Sequence, residues 1–425
     1  MEELATKKTY RNYLFFWSGQ LFSLFGSSII SFVLIWWITV ETQNPLLLAI
    51  AIFLRILPMT IFLPIAGVFS DRFDRKKLIL VADSLQAFIT FLLILFFLSG
   101  LANVWIIMIV ISLRSICQAF HVPTVNAIIP SMVPEQNLPR INGINFLFTG
   151  IVGIFAQLIA AILWIIFPIS MILWLDVITF FIALLPLLLI KIPSVIKKTE
   201  KNETVEKNSF LKEFRLGFKT LRAIPGLLIL IFLGMMTNFL LRPLVTLLPL
   251  YVILHGGDTA YYAFTLTFLH GGTIIGAVAT SIKKKWPHKI RIIFVGTVVI
   301  MGGSLVMALA PRGLFFMIFM AGIILGIAMP IINSLAQTFI QTIVPKDKLG
   351  RITSMDWFLS NLMSPIGVII SGPLALILGI PGLLMYSAII GLIIPVSLWC
   401  FTKIRKLDYD DEAKLKKIIE DVNNI

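Results

Sequence analysis

The sequence predicts an all-α polytopic membrane protein of twelve transmembrane helices, and three observations predict it. Hydrophobic residues make up 58% of the 425 and charged residues only 13%, against about 45–50% and about 25% in soluble domains. Long stretches carry no Asp, Glu, Lys or Arg at all: 12–40, 84–113, 141–175, 313–345 and 357–402. The basic residues between such stretches sort to one side of a twelve-helix arrangement. Together these exclude a soluble enzyme of this length, and they exclude disorder, which needs low hydrophobicity.

A membrane-spanning helix takes about 20 apolar residues. Runs long enough for two helices are cut at turn signals such as Phe167-Pro168 and Gly379-Ile380-Pro381-Gly382. The spans then fall at 12–40, 45–69, 78–99, 103–129, 141–166, 168–190, 226–253, 259–282, 290–310, 314–343, 355–379 and 382–403. With the N-terminus inside, the cytoplasmic segments hold 31 of the 35 Lys and Arg, while the outer loops hold Arg312 alone. By the positive-inside rule this places both termini in the cytoplasm of a multi-pass plasma-membrane protein. The net charge of +14 is therefore a topology signal, and no nucleic-acid partner is expected. Cys117 and Cys400 sit in apolar runs and read as ordinary thiols, without disulfide or metal spacing.

Val133-Pro134-Glu135-Gln136-Asn137-Leu138-Pro139-Arg140-Ile141 recurs as Val344-Pro345-Lys346-Asp347-Lys348-Leu349-Gly350-Arg351-Ile352, 211 residues on. The first copy joins spans 4 and 5 and the second joins spans 10 and 11. The chain thus reads as two six-helix bundles in parallel repeat: 1–190, a cytoplasmic linker at 191–225, 226–404, and a cytoplasmic tail at 405–425. Within the linker, 209–222 alternates apolar and basic residues, the pattern of an amphipathic surface helix. A substrate site between repeats near the bilayer midplane is how transporters are built.

Gly67-Val68-Phe69-Ser70-Asp71-Arg72-Phe73-Asp74-Arg75-Lys76-Lys77 closes span 2. It resembles the G-x-x-x-D-R-x-G-R-K/R signature of the major facilitator superfamily, with Asp74 in place of the second glycine. The form D-R-x-D-R-K-K resembles the branch of macrolide and other drug exporters and siderophore exporters. The resemblance implies the major facilitator fold and a gating latch, in which Asp71 caps the N-terminus of helix 11 in the other half. From the residues themselves, Gly67 allows a close helix approach. Arg72, Arg75 and Lys76 have Asp83 and Asp356 as acids within reach. The alternative is a basic cluster that only enforces topology and binds lipid headgroups.

Ionisable residues inside a membrane are functional candidates. They are Arg55, Arg114 and Arg242, with Asp176 as the mid-membrane carboxylate, and His121 and His270. His121 lies seven residues past Arg114, on the same helix face. Asp176, His121 and His270 form the expected proton-carrying set. The arginine surplus suggests an electropositive cavity in which Arg114 and Arg242 meet substrate. The alternative is that Arg114 pairs with Asp176. No P-loop, metal or catalytic motif occurs, so no ATPase partner, metal or other cofactor is expected. A membrane enzyme or a channel is the competing class. The function expected is a monomeric secondary transporter using alternating access and the proton gradient to export small amphipathic compounds. The alternative cargo is an anionic metabolite, siderophore or lysolipid.

Overall fold

The computed structural model describes residues 6–192, 218–222, 224–283, 286–344 and 346–406. Its helices are α1 (Lys7–Thr42), α2 (Pro45–Arg72), α3 (Arg75–Leu98), α4 (Val104–Met132), α5 (Leu138–Ile166) and α6 (Ile169–Leu189). They continue as α7 (Leu227–Leu254), α8 (Thr259–Ile282), α9 (Lys289–Ala308), α10 (Phe315–Ile343), α11 (Lys346–Leu362), α12 (Ser364–Leu378) and α13 (Ile380–Phe401). Among the described residues twelve segments are long and apolar enough to cross a membrane, α11 and α12 together forming the eleventh. The protein is a twelve-helix, all-α membrane protein.

The expected boundaries hold except at two starts. α1 begins at Lys7 because Thr6 and Thr9 form a reciprocal capping box there. α11 begins at Lys346, nine residues before the expected start at 355, so Asp356 lies well inside the helix. The break before α12 falls at Met363, two residues ahead of Pro365, where proline removes a backbone donor and crowds the preceding turn. Of the expected surface helix at 209–222, only 218–222 are described, and 218–222 are helical.

Two compact units divide the chain. One comprises Met1–Thr199 with Gly257–Thr267, and the other Glu200–Gly256 with Phe268–Ile425. In the first, α1 packs on α5 and α6, α2 on α4, and α3 on α4 and α6. In the second, α7 packs on α11, α12 and α13, and α9 on α10 and α13. Small residues set the closest approaches. A Cβ on Gly326 would lie 2.2 Å from the Leu269 carbonyl oxygen, and one on Gly272 would lie 2.4 Å from that of Ile323. Gly272 and Gly326 thus let α8 and α10 approach closely.

The repeat is also written into the packing. The first unit buries Tyr13, Phe16, Ile79, Ile128, Met132, Val133 and Ile141 in one cluster. Positions 211 further on are Ile224, Leu227, Ile290, Phe339, Ile343, Val344 and Ile352, all buried together in the second unit. The V-P-x-x-x-L-x-R-I match thus marks two equivalent cores, because its Val and Ile are the residues that enter them.

Candidate functional site

The basic loop after α2 acts first as a set of caps. Asp74 is the N-cap of α3 and accepts the Lys77 amide at 2.9 Å, which accounts for a carboxylate where the signature has glycine. Lys76 donates to the carbonyls of Leu188 (2.7 Å) and Ile190 (2.8 Å), at the C-terminal end of α6. Arg75 donates to the Ala127 carbonyl of α4 at 2.7 Å. Lys76 is thus a cation on the negative end of α6, where carbonyls lack intrahelical partners. The expected pairing of these cations with Asp83 is therefore corrected: Asp83 is buried on α3 and bonds to His121 instead. Arg72 is exposed. A Cβ on Gly67 would meet no heavy atom within 4 Å, so the expected close approach at that glycine is not made among the described residues. The Asp71 side chain lies outside the described residues.

Within the first unit, four helices converge on one buried carboxylate. Asp176 of α6 is 5% exposed and Arg114 of α4 is 9% exposed. Arg114 Nη1 donates to Asp176 Oδ2, and Nη2 lies 3.2 Å from Oδ1, a two-pronged grip. Ser27 of α1 donates to Oδ1 at 3.0 Å, and Thr90 of α3 donates to Oδ2 at 2.7 Å. Arg114 also donates to Thr90. Gly26, next to Ser27, makes room for this cluster: a Cβ there would sit 2.1 Å from Thr179 Oγ1.

The cluster is the inner end of a ladder between α3 and α4. Thr90 faces Arg114, Gln118 Nε2 donates to Gln86 Oε1 at 2.9 Å, and His121 Nδ1 meets Asp83 Oδ1 at 2.6 Å. The rungs fall at Asp83, Gln86 and Thr90 on one helix and His121, Gln118 and Arg114 on the other. Steps of three and four residues keep each set on one face of its helix. At about 1.5 Å rise per residue the ladder spans roughly 10 Å. Gln86, Gln118, Thr90 and Ser27 were missed from sequence. For Gln86 and Thr90 the signal was their i+3 and i+7 spacing from Asp83 along α3.

Beside the ladder, Ser115 of α4 splices into α2. Its hydroxyl donates to the Arg55 carbonyl at 2.6 Å and accepts the Met59 amide at 3.1 Å. Those two backbone groups are i→i−4 partners next to Pro58, where a membrane helix needs outside help to satisfy its backbone. The Arg55 guanidinium reaches Ser31 of α1 at 2.9 Å.

Arg242 and His270 belong to the second unit, so the ladder includes neither. Arg242 Nη2 donates to Ser364 at the α12 start, 3.1 Å away. His270 is half-buried on α8. Asp356 receives the Ser360 hydroxyl at 3.5 Å and lines a cavity of about 520 Å³ enclosed by α7, α9, α10 and α11. Asp83 and Asp356, like Asp176, are carboxylates inside membrane-spanning helices.

Twelve apolar helices around buried, paired charges define a polytopic membrane transporter. The family description Major Facilitator Superfamily matches residues 16–368, and the chain belongs to that superfamily. It is 29% identical to Macrolide efflux protein A of Streptococcus pyogenes over 394 residues, 92% of this chain and 96% of that protein. It is also 29% identical to Macrolide efflux protein A of Enterococcus faecalis over 317 residues, 74% of this chain and 97% of that one. Among solved structures it is similar to a POT family transporter in complex with 5-aminolevulinic acid. That match has a TM-score of 0.69 and 15% identity, over 92% of this chain and 95% of that one, and it bears on the fold alone.

Proposed function

We propose that the chain is a secondary active exporter of amphipathic compounds, driven by the proton gradient, with the Asp176–Arg114 pair as its proton-sensitive centre. The observation that carries this reading is the ion pair itself, buried at the junction of α1, α3, α4 and α6. Arginine does not titrate in proteins, so the carboxylate is the member of the pair that can change charge. A proton on Asp176 removes the attraction that holds Arg114 in place. The freed guanidinium then needs a new partner or water, because an unpaired buried charge is expensive. Protonation therefore biases a choice between two arrangements of four helices, which is what alternating access requires. The ladder of Gln86, Gln118, Asp83 and His121 offers a polar line toward this centre through otherwise apolar packing.

The export direction and the amphipathic cargo are supported by the two relatives named as macrolide efflux proteins. The Asp71 latch, a cytoplasmic position for both termini and a monomeric state belong to the same reading. The anionic cargo rested on a surplus of membrane arginines. Arg114, one of the two arginines expected to meet that cargo, is instead engaged by Asp176.

The test is uptake of a radiolabelled macrolide into proteoliposomes holding the purified protein under an imposed pH gradient. Uptake that tracks the gradient, and that Asp176→Asn uncouples from it, is the expected result. Uptake indifferent to the gradient, or coupling that survives Asp176→Asn, would overturn the proposal.

A further inference from the structure

The cavity of the second unit differs in chemistry from the ion-pair cluster of the first. Its volume is about 520 Å³, within the roughly 300–1,000 Å³ of small-molecule sites. Each of three helices sends polar side chains into it: Asn238 from α7, Asn333 and Gln337 from α10, and Asp356 and Ser360 from α11. Asn333 and Gln337, like Asp356 and Ser360, are four apart and share a helix face. Beyond Thr237, Thr297, Thr353 and Asn361, the remaining lining is Gly234, aliphatic side chains, Met329 and the Phe339 and Trp357 rings. Among the described lining residues Asp356 is the sole charge, with no Lys, Arg or His. The Ser360 carbonyl is held by Asn238 Nδ2 at 3.1 Å, which fixes α11 against α7 and keeps the carboxylate in place.

The repeat shows that this carboxylate is not a requirement of the scaffold. The equivalent position 211 residues earlier is Asn145, which donates to the Tyr13 hydroxyl at 3.3 Å. Conversely, Thr90, Arg114 and Asp176 correspond to Met301, Leu325 and Ser387. The first unit thus holds a buried ion pair where the second has uncharged residues, and the second holds a carboxylate in an amphipathic hollow where the first has an amide.

We propose that the cavity around Asp356 binds an organic cation with an apolar body, the ammonium facing Asp356 and the body lying against Trp357 and the aliphatic wall. A carboxylate among amides suits a cationic group, and the absence of cationic residues among the described lining residues disfavours anions. This deepens the export reading and rests on it for the role of the bound molecule as cargo, but the binding itself needs neither transport nor a gradient.

The experiment is equilibrium fluorescence anisotropy of rhodamine 6G, a cationic amphiphile, on the full-length protein in detergent, with fluorescein as the anionic counterpart. Wild type is expected to bind rhodamine 6G in preference to fluorescein, and Asp356→Asn to weaken the cation about tenfold or more. Absence of charge preference in wild type, or equal cation binding by Asp356→Asn, overturns the proposal. A second measurement covers the case of a misfolded variant. In a chain lacking Cys117 and Cys400, Gln337→Cys should react faster with a trimethylammonium methanethiosulfonate than with its sulfonate analogue, and rhodamine 6G should slow the reaction. Equal rates with both reagents, or no protection, count against the site. Because these readouts involve no flux, loss of gradient-driven uptake with cation binding intact would refute the export reading alone.

Discussion

Arg114 holds Asp176 with both terminal nitrogens of its guanidinium, while Ser27 and Thr90 occupy the carboxylate's remaining acceptor positions. A carboxylate satisfied from three sides at the meeting of four helices is an electrostatic lock on the first unit. Its two members cannot be exchanged independently.

Asp176→Asn or Arg114→Ala alone is expected to lower the thermal unfolding temperature of the purified protein, since stripping one partner from a buried pair costs about 3–5 kcal/mol. The double change Arg114→Met with Asp176→Leu should recover most of that stability. It should still fail to couple uptake to a pH gradient. Stability loss in the double variant as large as the sum of the two single losses would mean that the pair is not acting as a unit.

Replacing the middle rung tests whether the ladder matters to proton movement. Gln86→Leu with Gln118→Leu substitutes an apolar contact for a neutral hydrogen bond and should alter stability by no more than about 1–2 kcal/mol. Substrate-driven proton movement in proteoliposomes should slow severalfold. An unchanged proton rate at equal protein content would exclude the α3–α4 interface as the route.

Lys76→Met removes the ammonium from the end of α6 while keeping much of the aliphatic stem. A loss of about 0.5–2 kcal/mol is expected, with Lys76→Arg largely restoring it. Thermal unfolding of the three proteins side by side decides this.

Asp71→Asn is predicted to cripple transport at unchanged membrane abundance, because the latch would lose its charge while no apolar packing changes. Immunoblotting of membranes alongside macrolide uptake is the measurement. Normal uptake at equal abundance would remove the gating role.

Gly326→Ala should be among the most damaging conservative changes in the second unit. Its new methyl would meet backbone, the Leu269 carbonyl at 2.2 Å, and backbone cannot rotate away as a side chain can. About 1–3 kcal/mol of overpacking strain is expected, visible as reduced yield and a lower unfolding temperature.

The order and length of the spans were legible in the sequence because the bilayer imposes them locally. Each helix must be about 20 apolar residues long and must satisfy its own backbone, so uninterrupted apolar runs such as 84–113 announce themselves. The repeat was legible for a related reason: Val133 and Val344, and Ile141 and Ile352, are buried in equivalent cores, and equivalent packing preserves similar residues. His121 and Arg114 could be placed on one face from spacing alone.

What tertiary structure alone decided was who partners whom. A sequence shows Asp83, Asp176 and Asp356 as three acids among basic residues. Only the packing of α3 against both α4 and α6 gives Asp176 to Arg114 and Asp83 to His121, and leaves Arg75 to a backbone carbonyl of α4 and Lys76 to carbonyls at the end of α6. The same holds for Asp356, which lines a cavity of the second unit beside Ser360. Composition and periodicity are properties of single helices, so one chain displays them. Ion pairing and cavity formation depend on the rotation and register of helices far apart in sequence, and only their packing sets those.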